Sequence, residues 1–319
     1  MRRKTVAIVG CGVIGRSWSI VFARAGAHVR LFDIQPKAAR QALHKARQAL
    51  RALEIGKTGI EKIMGRVHAV ATLEEALDGA DYVQESVAEN ADVKRRIFEQ
   101  MDAVAAPRCI LASSCSAIPP ADFMAGLPHE ERCLIAHPFN PPHLIPLVEL
   151  VPAPKTAPKK ITEAKRLLSQ SGQHPVLLKR PIKGFIGNRL QAAVVNEIMH
   201  LMAEEVAGPA DLDACLRWGL GLRWSLMGPL ETMDLNADGG IADYIGKFGN
   251  DYQSLGGELG CREPWQARAV KNVIDARRSI LRLDRIGARV AWRDRNLLQL
   301  RELLEPRPAG KHPKRKGRR

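Results

Sequence analysis

The chain has 319 residues, 45% of them hydrophobic, which is enough for two domains with proper cores and excludes a disordered or fibrous protein. Its six cysteines (11, 109, 115, 133, 215 and 261) form no CxxC pair and have no histidine at zinc-like spacing, so no metal site is expected and the thiols read as reduced and mostly buried. The formal charge of +15 suggests nucleic acid, but residues 306–319, PRPAGKHPKRKGRR, hold seven lysines and arginines and no acid, the pattern of a solvated, disordered tail rather than a specific nucleic-acid surface.

At the N-terminus MRRK precedes VAIVGCGVIG and imitates a signal peptide. No A-x-A-like cleavage site follows, no run approaches transmembrane length, and a cytoplasmic protein without membrane contact is expected. Thr5 to Val9 is a compact β-branched run, followed by Gly10-Cys11-Gly12-Val13-Ile14-Gly15 and by SWSIVFARAG with its apolar residues on one helical face. This is strand, glycine turn, helix. Gly10 permits the tight turn, Gly12 lets a pyrophosphate approach the backbone, and Gly15 lets helix and strand pack closely. Val13 and Ile14, inside the turn, join the expected cofactor-binding set. A second strand, VRLFD, ends in Asp33, 21 residues after Gly12, where a ribose-binding carboxylate belongs. A carboxylate there accepts from free ribose hydroxyls and repels a 2′-phosphate. None of Arg30, Lys37 and Arg40 directly follows it, so NAD is expected rather than NADP.

Pro36 to Leu53 reads as a basic amphipathic helix with a solvated charged face. Thr72 with Glu75 forms a capping box before TLEEAL. DYVQES is the next strand, with Glu85 and Glu89 at its end. Either can line the nicotinamide site, and Glu89 can equally sit at the start of a helix expected from about Asp92 to Met101. Cys109 to Ser113 is a strand running into SSCSAIPP. Its hydroxyls suit a substrate pocket and equally suit a turn; for Cys115, beside Ser116, packing is explanation enough.

In the stretch IAHPFNPPHLIPLVE, His137 follows the apolar run Cys133 to Ala136, at the carboxyl end of a strand. PFNPP forces an irregular turn, and Glu149, twelve residues on, can return beside the imidazole. The two read as a base oriented by an acid, or as a partly buried histidine and a glutamate at a sheet edge. A helix from about Pro158 to Ser171 and a strand, HPVLLK, complete the alternation. Residues 1–184 are therefore expected to form a doubly wound, mostly parallel α/β sheet of the Rossmann type.

Beyond residue 184 the pattern is helical. GFIGNRLQAAVVNEIMHLMAEEV has apolar residues at 186, 190, 194, 198, 201 and 202. DLDACLRWGLG, a helix after Gly228-Pro229 and one long helix from about Trp265 to Leu304 follow. Residues 185–305 form an expected all-α domain that binds substrate and buries a face against a second copy in a homodimer. Arg223, just before GPLETM, can pair bidentately with a substrate carboxylate or be an exposed arginine without a partner.

Together GCGVIGRSW, SSCSAI, AHPFNPPHLIPLVELVP, GFIGNRLQ, GPLETMDLNADGG and AWRD resemble the 3-hydroxyacyl-CoA dehydrogenase superfamily, most closely its lambda-crystallin, or L-gulonate 3-dehydrogenase, branch. The resemblance covers about residues 5 to 304. It implies His137 as general acid/base, Glu149 as its orienting partner, and Ser116 and Asn188 as hydrogen-bond donors to the substrate oxygen. It also implies that His137 takes the proton of a secondary hydroxyl while the carbon hands a hydride to C4 of the nicotinamide. A small L-3-hydroxy acid, L-gulonate-like or 3-hydroxybutyrate, is the substrate class it favours, with an acyl-CoA thioester or carnitine as alternatives. Carnitine's quaternary ammonium calls for an aromatic cage, and 5% aromatic content disfavours it. Because lambda-crystallin is a lens structural protein, NAD binding without turnover is the reading from another class. The intact set Ser116, His137, Glu149 and Asn188 argues against it.

Overall fold

A computed structural model describes residues 1, 4–53, 55–259 and 267–304; the basic stretch 306–319, Cys261 and the expected helix start at Trp265 lie outside the described residues. The chain divides into two compact units, Met1–Gly187 with Ala291–Arg301, and one built on Asn188–Val290.

The first unit alternates strands and helices: β1 (Thr5–Val9), α1 (Val13–Arg24), β2 (His28–Phe32), α2 (Pro36–Ala52), α3 (Lys57–Met64), β3 (Val67–Ala69), α4 (Leu73–Leu77), β4 (Tyr82–Glu85), α5 (Ala91–Val104), β5 (Ile110–Ser113), α6 (Ala121–Met124), β6 (Cys133–Pro138), β7 (Leu147–Pro152), α7 (Pro158–Gln170) and β8 (His174–Leu177). Among the described residues the strands form one sheet in the order β3-β2-β1-β4-β5-β6-β7-β8. All neighbouring pairs are parallel except β6 with β7. The chain leaves β1 toward β2 and β3, then returns to the other side of β1 with β4. That switch opens a crevice at the carboxyl ends of β1 and β4, where doubly wound sheets bind their ligands.

The central strands are apolar on both faces because helices cover both. Val6 and Ile8 pack into the core under α1, α2 and α7, whereas Ala7 and Val9 pack with Leu77, Phe98 and Phe123 on the opposite face. This period of two is the pleat itself. On the α1 side Trp18 stacks on Phe22, which leans on Tyr82. Each such fully buried large side chain contributes about 1.5–3 kcal/mol. Thr72 caps α4, with Glu75 N–H donating to Thr72 Oγ1, while the Glu75 carboxylate reaches one residue past the capping-box position and accepts from Ala71 N–H.

The second unit is helical: α8 (Gly187–Ala203, counted from its first turn), α9 (Pro209–Ala214), a π-helical turn Cys215–Leu220, α10 (Gly221–Trp224), α11 (Pro229–Leu235), α12 (Gly240–Glu258) and α13 (Ala267–Ile280). Two expectations are corrected here. The stripe on α8 does not bury its first half: Ile186 and Leu190 are exposed, and the small core gathers Met199, Met202 and Leu212 with Val195 and Ile198 against it. The long last helix is broken: Arg282 is extended, and a 3-10 turn, Leu283–Arg285, follows it before α14 (Ile286–Leu304). Among the described residues no helix is long and apolar enough to cross a membrane, and no cluster of metal-ligating side chains occurs. The thiols of Cys11, Cys109, Cys115 and Cys133 are free and buried, and Cys215 is free and exposed.

Candidate active site

The turn after β1 is shaped by its glycines. Gly10 has φ 93°, and a Cβ there would stand 2.6 Å from the Ser86 carbonyl oxygen; at Gly15 it would stand 1.9 Å from the Gly10 oxygen. Both positions therefore exclude a side chain. Gly12 differs. A Cβ there would meet nothing within 4 Å, so this glycine leaves space open rather than letting two parts of the protein touch. Gly12 also caps α1 without a side chain, which leaves the N–H groups at the start of the helix, at Val13 and Ile14, for an anion. Asp33 ends the neighbouring strand. Its Oδ2 accepts from Cys11 N–H at 2.8 Å and its Oδ1 from Gln35 N–H at 2.9 Å, which fixes the carboxylate and leaves each oxygen a further lone pair. A cavity of about 320 Å³ lies here, lined by Cys11, Gly12, Val13, Arg16, Asp33 and Lys45. The open space at Gly12, the uncapped helix start and the fixed carboxylate suit a dinucleotide with free ribose hydroxyls.

Beneath this turn a buried polar cluster ties the strand ends together. Trp18 Nε1 and Gln84 Nε2 both donate to Ser114 Oγ, at 3.2 and 2.8 Å, and Ser86 Oγ lies 2.9 Å from the same atom. Glu89 does not serve the start of α5, since Asn90 caps that helix by accepting from Val93 N–H. Its Oε1 instead accepts from Ser116 N–H at 2.7 Å and Ala117 N–H at 3.0 Å, and from the Cys115 thiol. Burial works against ionisation of Glu89, but these donors and the Lys94 ammonium hold its carboxyl below the usual carboxylate range. Burial, with Glu89 adding to it, pushes the Cys115 thiol up to about 12, so it is no nucleophile. Ser116 sits exposed on this loop at the end of β5.

His137 lies at the end of β6 and is directly paired with Glu149 of β7 in the antiparallel ladder. Side chains of opposed residues project to the same face. His137 Nδ1 is 2.8 Å from Glu149 Oε2, and both residues are buried. Glu149 Oε1 accepts from Ile186 N–H at 2.8 Å and Gly187 N–H at 2.9 Å. Burial opposes the charge on Glu149, yet His137 and the Gly187 and Ile186 donors outweigh it and hold the carboxyl below its ordinary value. Glu149 is thus ionised near neutrality and can only accept, so His137 Nδ1 is the donor of this bond. The ring is flanked by Phe139 at 5.6 Å and Phe185 at 5.4 Å. Phe185 holds φ 52°, a strained conformation for a residue with a Cβ, with its ring buried beside the imidazole.

The first unit therefore brings together Gly10, Gly12, Val13, Ile14, Gly15 and Asp33 at one crevice, and His137 with Glu149 at one hairpin. Asn188 is the second residue of α8 and Arg223 lies exposed on α10, both in the second unit. Sequence reasoning missed Lys94, Ser113 and the Ile186 and Gly187 donors. Only Lys94 left a signal: it shares the buried helical stripe of Phe98 and Met101.

Comparison with known proteins gives this geometry its family. Residues 5–181 match the model of the 3-hydroxyacyl-CoA dehydrogenase NAD binding domain, and residues 184–278 match that of the 3-hydroxyacyl-CoA dehydrogenase C-terminal domain. A lambda-crystallin homolog of Bos taurus is 42% identical over 317 residues, covering 95% of this chain and 96% of the relative. L-carnitine dehydrogenase of Pseudomonas putida is 38% identical over 250 residues, 77% of each. Among solved structures, the NAD+-dependent 5-formyl-3-hydroxy-2-methylpyridine 4-carboxylic acid 5-dehydrogenase aligns with TM-score 0.80 and 29% identity over 97% of this chain and all of that one. With both of its domain models matched and the glycine turn, Asp33 and hairpin in place, the chain belongs to the 3-hydroxyacyl-CoA dehydrogenase family of NAD-dependent oxidoreductases.

Proposed function

We propose that this protein oxidises the 3-hydroxyl of a small, free L-3-hydroxy acid of the L-gulonate kind to the 3-keto acid. The observation that carries the reading is the buried His137–Glu149 pair, with Glu149 itself fixed by two backbone donors. Bound NAD supplies the hydride acceptor. His137 Nε2 removes the hydroxyl proton, and the ionised Glu149 stabilises the imidazolium that results. Ser116 and Asn188 donate hydrogen bonds to the substrate oxygen, and Arg223 anchors the carboxylate. Gly10, Gly12, Val13, Ile14 and Gly15 hold the pyrophosphate, Asp33 holds the adenosine ribose, and Glu89 supports the nicotinamide side. The lambda-crystallin homolog, related over nearly its whole length, supports the branch, and the structurally similar dehydrogenase of a pyridine carboxylic acid supports a free acid. The relation to L-carnitine dehydrogenase makes carnitine the second reading.

The active form is a homodimer closed through the second unit. Trp218, Leu226, Leu230 and Leu235 are more than half exposed and α12 buries no residue, an apolar surface that a second copy of this chain would cover. The free buried thiols accord with a reducing compartment, the cytoplasm.

Initial rates of NAD reduction with L-gulonate, L-3-hydroxybutyrate, 3-hydroxybutyryl-CoA and L-carnitine, repeated with NADP, test the reading. Preference for the free acids is expected. Preference for the thioester moves the protein to the acyl-CoA branch, preference for carnitine selects the second reading, and NADH binding with no turnover of any of them favours a binding role.

A further inference from the structure

Lys94 is a buried cation without a part in the mechanism above. It is 1% exposed, and its Nζ lies 3.0 and 3.2 Å from the two oxygens of Glu85, 3.5 Å from Glu89 Oε2 and 6.0 Å from the Phe123 ring centroid. An ammonium is kept out of water only when it is paired. Its two carboxylates carry the same loop. Glu85, fully buried, accepts from Ser113 Oγ–H, and Ser113 Oγ in turn accepts from Cys115 N–H at 3.1 Å. Glu89, partly exposed, accepts from Ser116 and Ala117 N–H. Ser114 N–H donates to the Glu85 carbonyl at 2.8 Å. Every backbone N–H from Ser114 to Ala117 therefore ends on Glu85, on Glu89, or on the serine that Glu85 holds.

We propose that Lys94 is a positioning residue: by binding Glu85 and Glu89 together it anchors the loop from Ser113 to Ala117 and so places Ser116 for the reaction. The anchoring stands on the geometry alone; its consequence for turnover rests on the reading that Ser116 contacts the substrate. A loop leaving a strand end is ordinarily the mobile part of such a site. Here the amides of Ser116 and Ala117 are tied to a carboxylate that the buried Lys94 attracts, so the donor is preorganised before substrate arrives.

The test is amide hydrogen exchange and kinetics on the full chain. The double variant Glu85→Gln with Lys94→Met removes both buried charges, so neither remains unpaired. Glu89→Gln, at the partly exposed end, keeps an oxygen for the two donors and replaces the oxygen that Lys94 attracts with an uncharged NH2 donor. It therefore tests the anchor even if the buried pair cannot be changed without loss of folding. In both, the Ser116 and Ala117 amides should exchange about tenfold faster while those of β1 and β4 keep their protection. In both, kcat with L-gulonate should fall about tenfold while KM for L-gulonate moves less than about twofold. Unchanged protection at Ser116 and Ala117 overturns the anchoring, whatever the kinetics. Lost protection with an unchanged kcat overturns the positioning role where Ser116→Ala is itself impaired. Where Ser116→Ala is fully active, lost protection upholds the anchor and removes instead the role given to Ser116.

Discussion

His137 and Glu149 are directly opposed across the antiparallel ladder of β6 and β7, with Nδ1 and Oε2 at 2.8 Å. His137→Ala should lower kcat by about 10²–10⁴ while NADH binding, measured by fluorescence titration, stays near the parent value. Glu149→Gln keeps an acceptor for Ile186 and Gly187 N–H but loses the charge that stabilises the imidazolium. Its kcat should also fall by at least about 10². Either variant as active as the parent removes the dyad from the mechanism.

Two glycines of one turn should respond in opposite ways. Gly15→Ala forces a Cβ against the Gly10 carbonyl and should destabilise the fold by about 1–3 kcal/mol or more, read as a lowered denaturant midpoint. Gly12→Ala meets no protein atom and should fold like the parent, yet lose NADH binding because its methyl enters the space left for the phosphates. Full cofactor affinity in Gly12→Ala would place the phosphates elsewhere.

Asp33 is the acid among two cations, Arg16 and Lys45, lining the same cavity. Asp33→Ala should raise KM for NAD and lower KM for NADP, because the repulsion of a 2′-phosphate goes and the cations stay. Steady-state kinetics with both cofactors decides this; an unaltered ratio would show that Asp33 does not set the preference.

Burial pushes His143 down to about 4, with Asp294 opposing and Arg24, Arg16 and Arg293 adding to the effect. A histidine held neutral in the fold but titrating near 6.5 when unfolded lets the unfolded chain bind the extra proton first. Stability is therefore retained above about pH 6.5 and falls as pH drops toward about 4, by roughly 3 kcal/mol for this group. His143→Asn should lose less stability over that window in urea titrations; an identical decline in both proteins would refute the assignment.

Arg223→Ala should raise KM for a free hydroxy acid about tenfold, with little change in KM for NAD. Equal KM for the acid in variant and parent would show that another group holds the carboxylate.

Much of this was legible in the sequence because its signals are local. The β-branched run Thr5–Val9, the glycines and Asp33 fix strand, turn and helix within about thirty residues. The twelve-residue return from His137 to Glu149 made a meeting possible. That the two strands are antiparallel, and that Ile186 and Gly187 clamp the acid from 37 and 38 residues away, is set by tertiary packing that no local pattern carries. The partners of Glu89, 27 and 28 residues distant, lie equally beyond any local pattern, which left its nicotinamide-side and helix-start readings both open. The three-residue β3 left no period to detect, and the break at Arg282 falls at neither a proline nor a glycine.

The sheet ends at β8, and its outer edge is poor in donors. His174 N–H points inward to Pro146 and Leu178 N–H to Leu150, so the alternate positions, 175 and 177, face outward. Residue 175 is proline and has no N–H, and the strand is only four residues long. An incoming strand would find Leu177 alone offering a hydrogen there, too little to nucleate a ladder. This blunted edge resists end-to-end sheet growth and aggregation, a safeguard for a protein whose helices carry so much exposed apolar surface.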